Sequence, residues 1–293
     1  MINDKQRQFI ENKLSEPHEY SDRYVAFLDM LGFSDMCGNK KMDCFEIKAV
    51  YNDIELLKLK YDIFAGVVIS DEIRNGTDFT FMSDSIIISA PHSDPGLLFI
   101  LYLCSFIQNM LLQKGILLRG GIAKGEFFKL DSIMFGPALI SAYQIESNTA
   151  VYPRIVLSDE IVEELKEKGL FKKMTVEEYI TRSQRETKEG EYIESIEDIF
   201  TQIKALIKQS SEDSYFFVNQ FHAIEMLSLT QQKRDKINET IKNGLSNNED
   251  RIKAKYQWLE KHFNGCIANR TKIPLFGNTE QLKTLMKKGQ NNG

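Results

Sequence analysis

Apolar residues along the chain fall into short runs and spaced patterns that predict both strands and helices. Runs bounded by glycine or polar residues predict strands at 24–31, 66–73, 79–90, 116–130 (two strands joined at a glycine-marked bend), 152–158 and 214–227. Apolar positions at helical spacing predict helices at 42–62, 95–114, 138–150 and 159–170, the last opened by Asp159 as cap or first-turn acid. Residues 74–77 predict a hairpin turn, and helical character returns after residue 229.

This order of elements predicts an α+β fold with a mixed sheet. Strand, helix, hairpin, helix and strand in succession fit a ferredoxin-like core with extra strands, rather than alternating βα units. A chain of 293 residues with 42% apolar composition is long enough for such a core and an appended element. We expect an N-terminal helical segment (1–21), a core domain (22–228) and a helical C-terminal extension (229–293).

Charge and composition narrow the classes of partner. A net charge of −5 argues against a general nucleic-acid binder, which usually carries a basic stripe. The polar N-terminus is unlike a signal peptide, and the longest apolar stretch is interrupted by Ser105, Gln108 and Asn109, which predicts a buried helix rather than a membrane span. The four cysteines have neither zinc nor redox spacing. We therefore expect a cytoplasmic protein with reduced thiols and no membrane or nucleic-acid partner.

Two carboxylates stand inside apolar segments, where a lone charge is costly. Asp29 lies in YVAFLDML just before Gly32, and Asp84 lies in FMSDSIIIS. If their strands are neighbours, both carboxylates converge, and two close carboxylates stay ionised only beside a cation. Hard oxygen ligands favour Mg²⁺ or Mn²⁺, and a glycine turn with free N–H groups suits a triphosphate. The alternative is that each aspartate caps a turn or pairs with a lysine.

Four motifs resemble the class III nucleotidyl cyclases. FLDMLGFSDM and FMSDSIIIS are similar to the two metal-aspartate motifs, and LLRGGIAKGEFF and FGPALISAYQIES to the strand pair and helix that follow. The combination with YPRIV is narrower and resembles the bacterial pyrimidine cyclases of Pycsar anti-phage systems, over roughly residues 22–222.

The resemblance implies conversion of CTP or UTP to cyclic CMP or cyclic UMP, which then signals to a separate effector. Two divalent ions, Mn²⁺ or Mg²⁺, would be held by Asp29, Asp84 and the Met30 carbonyl. The backbone of Gly32 and Phe33 would contact the triphosphate. Members of the family form head-to-tail dimers, so a homodimer is also implied.

The sequence departs from the purine cyclases at three positions. The transition-state Asn and Arg of that pattern correspond here to Ile140 and Gln144, and the purine-selecting Lys corresponds to Thr80. The missing positive charge must then come from elsewhere. Arg154 is our first candidate as a catalytic phosphate contact. Arg119 and Lys124 are nucleotide-binding candidates, although Arg119 could instead pair with an internal acid and Lys124 could be a solvated turn residue.

The side chains that read the base are less well marked. Tyr51 and Thr80 are candidates for nucleotide binding, Tyr51 by narrowing the pocket and Thr80 by hydrogen-bonding a base edge together with Ser83. A tyrosine on the apolar face of a helix is more often a core residue, which is the alternative for Tyr51, and Tyr143 could face the site or a dimer partner. The lone His222 and His262 predict packed or surface residues rather than catalysts.

Three functions remain open at this point. The chain is a pyrimidine cyclase, a purine cyclase with a rearranged pocket, or a nucleotide-binding module without turnover. The retained Asp29 and Asp84 favour an enzyme, whereas Ile140 and Gln144 favour the binding module.

Overall fold

A computed structural model describes residues 3–8, 19–38, 42–60, 70–130, 133–171, 196–222 and 231–270. Its strands are β1 (Ser21–Leu31), β2 (Asp78–Met82), β3 (Ser85–Pro91), β4 (Leu117–Leu130), β5 (Ile133–Phe135), β6 (Ile155–Leu157), β7 (Ile207–Gln209) and β8 (Phe216–Val218). Its helices are α1 (Phe33–Gly38), α2 (Cys44–Lys60), α3 (Asp71–Asn75), α4 (Asp94–Leu112), α5 (Pro137–Asn148), α6 (Asp159–Glu167), α7 (Ile196–Leu206), α8 (Gln231–Leu245) and α9 (Asp250–Arg270). Residues 4–8 are also helical.

The sheet has a ferredoxin-like half and an extension. The strand order is β2-β3-β1-β4-β6-β8-β7, and β5 pairs with β4 off this path. The pairs β2/β3, β3/β1 and β1/β4 are antiparallel, so β1-α2-β2-β3-α4-β4 forms a split βαβ core. The parallel β4/β6 pair makes the sheet mixed. The prediction of an α+β fold with a ferredoxin-like core is confirmed.

Alternation along β1 separates the two faces of the sheet. Tyr24, Ala26, Leu28 and Met30 belong to the large core cluster, which also contains most of α4. Val25, Phe27 and Asp29 point to the opposite face, which α5 covers in part. Asp29 therefore shares its face with its antiparallel partners Ser85 and Arg119.

The strand predictions were wrong at two places before the second aspartate. Residues 71–75 form α3 rather than the end of a strand, because the Ser70 hydroxyl accepts the Ile73 N–H at 3.4 Å and acidic residues fill the first turn. Residues 66–69 lie outside the described residues. The predicted strand 79–90 is a hairpin that turns at Ser83 and Asp84, where Ser83 adopts φ +56°. Asp84 is thus a turn residue.

Other boundaries differ in smaller ways. Residues 117–130 form one strand that continues through Gly125 (φ +138°), where two strands were expected. β6 and β8 are shorter than predicted. Ser158 caps α6, and Asp159 is an acid of its first turn, the second of the two roles predicted for it. The sequence reading missed α7 and β7. The charged stretch 180–195 and the tail 271–293 lie outside the described residues.

The C-terminal helices α8 and α9 pack against the sheet extension. Buried residues of both helices form a second apolar cluster with Val156 and Phe217, and Leu31 and Ile145 pack against it. The C-terminal helices therefore reach the end of the sheet where β1 carries Asp29. The expected domain boundaries 1–21, 22–228 and 229–293 stay predictions.

Helix α4 is the one described helix that is long and apolar enough to cross a membrane. Of its most apolar window, 83% is buried inside the protein, as in a core helix.

Candidate active site

The structure brings Asp29 and Asp84 to the same end of the sheet. Asp29 lies near the end of β1 and pairs in register with Ser85, the residue that follows Asp84. The Met30 backbone N–H donates to the Asp84 carbonyl oxygen at 3.0 Å, which ties the β2–β3 turn to β1. The Met30 side chain itself is buried in the core. Asp29 is thus placed by strand pairing, and Asp84 by a hairpin turn that is hydrogen-bonded to β1.

Arg119 lies beside Asp29 and pairs with a third carboxylate. Its Nε atom is 3.5 Å from Asp29 Oδ2 and 2.5 Å from Glu146 Oε1. Glu146 is buried on α5, and its carboxylate holds the guanidinium of Arg119 on β4. Sequence reasoning missed Glu146, although an acid four residues after Ala142, on a helix face that must pack, was a usable signal.

A glycine lets α5 lie close enough for this pair to form. A Cβ atom on Gly121 would stand 2.4 Å from the Ala142 carbonyl oxygen and 2.6 Å from Ile145 Cβ. No side chain fits there unless the helix moves. The spacing between α5 and β4, and with it the position of Glu146, depends on Gly121.

The surroundings of Asp29 raise the pKa of its carboxyl group. Burial is the largest cause that raises the pKa of Asp29, and Glu146 and Asp84 add to it, while Arg119 acts in the opposite direction. The net pKa is raised. A carboxylate held in this way gains from any cation that arrives beside it.

The residues at this site fit a hard divalent ion that is shared with a substrate. Among the described residues, no group of three or more His, Cys, Asp or Glu side chains is arranged to hold a metal. Mg²⁺ does not need such a cage, because it is usually bound by one or two carboxylates together with substrate phosphates. Asp29 and Asp84 supply that pair, and Asp84 contributes to the raised pKa of Asp29 as a close like charge does.

The turn after β1 exposes its backbone at Gly32 and packs on the apolar core through Phe33. Gly32 has φ +81°, a conformation that favours glycine, and nothing lies within 4 Å of where its Cβ would be. Phe33 packs against the core and lines a small apolar pocket with Met36 and Tyr51. The structure therefore leaves the Gly32 backbone accessible at the end of the strand that carries Asp29.

Tyr51 supports the turn that holds Asp84. Its hydroxyl donates to the Ser83 carbonyl oxygen, and its ring packs edge-on against Phe81 with 5.0 Å between centroids. Burial, then the charge of Asp84, raises the pKa of Tyr51. Tyr51 thus lies within electrostatic reach of the site, although its hydroxyl is engaged with the backbone.

The other predicted base-reading positions lie around the same face. Thr80 is half-buried on β2 and pairs in register with Ile87, on the face that carries Asp29. On α5, Ile140 and Gln144 are exposed. Tyr143 is also exposed and packs edge-on against Phe27 at 5.3 Å.

The structure does not bring Lys124 to the carboxylates. It pairs in register with Tyr24, five positions from Asp29 along β1, which is a distance of about 17 Å. Its ammonium pairs with Glu164 of α6. Burial would raise the pKa of Glu164, but hydrogen bonds from Lys124, Lys168 and His92 lower it to about 2. Lys124 belongs to that ionic cluster, so we leave it out of the site.

Arg154 is also engaged away from the carboxylates. Its side chain is 1% exposed, and both of its terminal nitrogens donate to the Asp213 carboxylate. The guanidinium lies over the rings of Tyr152, Tyr215 and Phe217. A buried cation with a complete bidentate partner is not free to bind phosphate, so the structure argues against the predicted catalytic role of Arg154.

The two lone histidines are packed, as expected. His222 is buried 5.9 Å from the Tyr102 ring. His262 lines a pocket of about 250 Å³ between β7 and α9, together with Trp258, Lys208 and Cys266. Burial, then the charge of Lys208, lowers the pKa of His262 to about 3, so it is neutral at physiological pH.

Comparisons with known proteins give slight structural likenesses only. No protein-family model and no curated protein matches the chain. Among solved structures, the guanylyl cyclase Cya2 is similar at 16% identity and a TM-score of 0.31, over 50% of this chain and 78% of that one. Two structures of a bacterial light-regulated adenylyl cyclase are similar at 16% and 15% identity, with TM-scores of 0.32 and 0.33, over 54% of each chain. At these scores the function is inferred from the geometry of the site and from its sequence motifs.

Proposed function

We propose that this protein is a nucleotide cyclase, which converts a nucleoside triphosphate to a 3′,5′-cyclic monophosphate and pyrophosphate. The observation that carries the proposal is the placement of Asp29 and Asp84 at one end of the sheet, joined by the Met30–Asp84 backbone hydrogen bond and next to the open Gly32 turn. Two carboxylates beside an accessible backbone turn suit a metal-bound triphosphate.

In the proposed reaction the ribose 3′-oxygen attacks the α-phosphorus and forms a new P–O bond. The bond from that phosphorus to the bridging oxygen breaks, pyrophosphate leaves with the electron pair, and the hydroxyl proton passes to solvent. Divalent ions, Mg²⁺ or Mn²⁺, held by Asp29, Asp84 and the Met30 carbonyl would neutralise phosphate charge and lower the pKa of the hydroxyl.

The chain's own residues position the reactants. Arg119, held by Glu146, faces Asp29 and orients that carboxylate. Tyr51 fixes the Ser83 carbonyl and with it the turn that presents Asp84. The backbone of Gly32 and Phe33 contacts the triphosphate. The catalytic gain would come from orientation in a half-buried setting.

The finer assignment is a pyrimidine cyclase of the Pycsar type, acting on CTP or UTP in the cytoplasm and signalling to a separate effector in anti-phage defence. It is supported by the narrower sequence motifs and by Thr80, which replaces the purine-selecting lysine. A purine cyclase with a rearranged pocket and a binding module without turnover are the competing outcomes.

The test is to incubate the purified protein separately with ATP, GTP, CTP and UTP plus Mn²⁺ and to resolve the products by mass spectrometry. We expect one cyclic pyrimidine monophosphate, which disappears in Asp84→Ala. Asp22→Ala, an exposed carboxylate on the same strand as Asp29, is the matched control and should keep its activity.

Each other result has a defined meaning. Cyclic AMP or cyclic GMP would overturn the pyrimidine assignment and keep the cyclase. Nucleotide binding without any cyclic product from the four nucleotides, with either metal, would overturn the cyclase in favour of the binding module.

A further inference from the structure

Helix α9 carries an inward stripe that changes character at its N-terminal end. Leu259, Phe263 and Cys266 are buried at helical spacing. One turn before Leu259 the same stripe continues with Lys255, which is half-buried. A half-buried cation at the end of an apolar stripe needs a reason in what it faces.

The path of α9 across the sheet shows what Lys255 faces. Cys266 lies against Lys208 of β7, and Trp258 packs on Phe217 of β8 and on Tyr152 just before β6. Towards its N-terminus α9 therefore runs towards β4 and β1, the next strands in order. The apolar cluster that holds Trp258 also contains Leu117, two residues before Arg119, and Leu31, two residues after Asp29, packs against it. Lys255, one turn before Trp258, thus lies on the side of α9 that approaches Arg119 and Asp29.

The electrostatics agree with this path. Burial, then the charges of Arg119 and Arg251, lowers the pKa of Lys255, while Asp29 acts in the opposite direction. Lys255 is half-buried, and across the described ranges no carboxylate lies within ion-pair distance of its ammonium. Arg119 is already matched by Glu146.

This charge pattern calls for an anion once the carboxylates are satisfied. With Asp29 and Asp84 engaged by a divalent ion, the half-buried Lys255 would be left as a cation without a counter-charge at the edge of the site. A polyphosphate that is bound through the same ion would supply it.

We propose that Lys255, from the C-terminal extension, binds the triphosphate of the nucleotide held at Asp29 and Asp84 of the same chain. It would provide the positive charge that Gln144 lacks and that Arg154 cannot supply. The inference rests on the proposed nucleotide site, but not on turnover at that site.

The experiment compares Lys255→Gln, Lys255→Arg and the control Lys253→Gln, an exposed lysine on the same helix. Calorimetry measures binding of CTP, UTP and inorganic pyrophosphate, each with Mg²⁺, and kinetics measures kcat and KM. Loss of a charged hydrogen bond weakens binding by about tenfold or more. We expect that loss in Lys255→Gln for all three ligands, recovery to within about threefold in Lys255→Arg, and wild-type behaviour in Lys253→Gln.

The possible failures can be told apart. If Lys255→Gln binds all three ligands as Lys253→Gln does, the inference is overturned even when wild-type protein makes a cyclic product. If wild-type protein binds CTP or UTP through Lys255 and makes no cyclic product, the cyclase proposal fails and the inference stands. Wild-type protein that binds neither nucleotide nor pyrophosphate would overturn both. Equal thermal midpoints of the variants exclude misfolding as the cause.

Discussion

At the scale of single residues, Asp29 is a charge that the fold tolerates rather than one that stabilises it. Because its pKa is raised in the folded protein, the folded state binds more protons than the unfolded chain between the ordinary and the raised pKa. Stability therefore falls as pH rises through that window. The half-buried Asp29 carboxylate thus lowers the stability of the metal-free protein and is placed to bind a cation.

Asp29→Asn should accordingly raise the thermal midpoint of the metal-free protein by a few degrees at pH 7. The difference should shrink as the pH falls below the raised pKa, since wild-type Asp29 is then neutral as well. Added Mg²⁺ or Mn²⁺ should stabilise the wild type and not the variant. Thermal scans across pH, with Asp22→Asn as the control, test this, and a variant less stable than wild type at neutral pH would contradict it.

Arg154 has the opposite character, because its charge depends on a partner. Burial alone would raise the pKa of Asp213, but hydrogen bonds from Arg154 and Ser210 lower it. The pair therefore stabilises the fold at neutral pH, and this contribution is lost as pH falls through the lowered pKa.

Asp213→Asn should lower the free energy of unfolding by about 3 kcal/mol, because it leaves the buried guanidinium without a counter-charge. Urea denaturation at pH 7 measures the loss. The neighbouring Glu212→Gln removes an exposed pair with Lys261 and should leave stability essentially unchanged. Equal effects of the two substitutions would show that the Arg154 pair is not buried in solution.

At the scale of elements, helix α5 positions Glu146, and Gly121 sets the distance between this helix and the sheet. Gly121→Ala would push against the Ala142 carbonyl and Ile145, lift α5 and separate Glu146 from Arg119. We expect a loss of about 1–3 kcal/mol in stability. We also expect weaker metal binding, because Arg119 would then turn fully to Asp29.

Urea unfolding and metal titration test Gly121→Ala against Gly38→Ala. A Cβ on Gly38 meets nothing within 4 Å, so that variant should match the wild type in both measurements. If Gly121→Ala also matched it, the close approach of α5 would not constrain the site.

The elements also show how far the sequence could be interpreted. Long periodic segments such as α4 and α5 were predicted within one or two residues, because burial of one face dictates their spacing. The hairpin at Ser83 was missed since its turn lies inside an unbroken β-rich run, and only a serine at positive φ marks it. β7 was missed because three residues carry too little pattern.

Some residues of the candidate site could likewise be predicted from the sequence, and others could not. Asp29 and Asp84 could be predicted because a charge in an apolar run is costly wherever the run folds. Arg154 and Lys124 satisfy the same criterion, but their partners Asp213 and Glu164 are distant in sequence and only the fold pairs them. Lys255 lay in a segment where no motif pointed to chemistry.

At the scale of the whole molecule, the face beside the site exposes large apolar side chains. Ile140, Tyr143, Phe135 and Ile133 are all about half or more exposed, and they lie on α5 and β5 near the carboxylate face. We propose that a second copy of the chain covers this surface in the homodimer that the sequence resemblance implies.

A double substitution, Ile140→Asp with Tyr143→Asp, should convert the protein to a monomer in light scattering while keeping the fold, because burying these carboxylates in a contact between two copies is costly. Exposed Val151→Asp, which is apolar and outside α5 and β5, is the control. A wild-type protein that is monomeric at assay concentration would contradict the homodimer.

Trp258 has a further consequence, because it is the sole tryptophan of the chain. It is stacked on Tyr152 at 5.5 Å, is 8% exposed, and stands one helical turn from Lys255. The protein thus carries its own optical probe at the place where the C-terminal extension meets the sheet. Movement of α9 when a polyphosphate reaches Lys255 would change the emission of a single indole, and the arrival of substrate could be followed in unlabelled protein in real time.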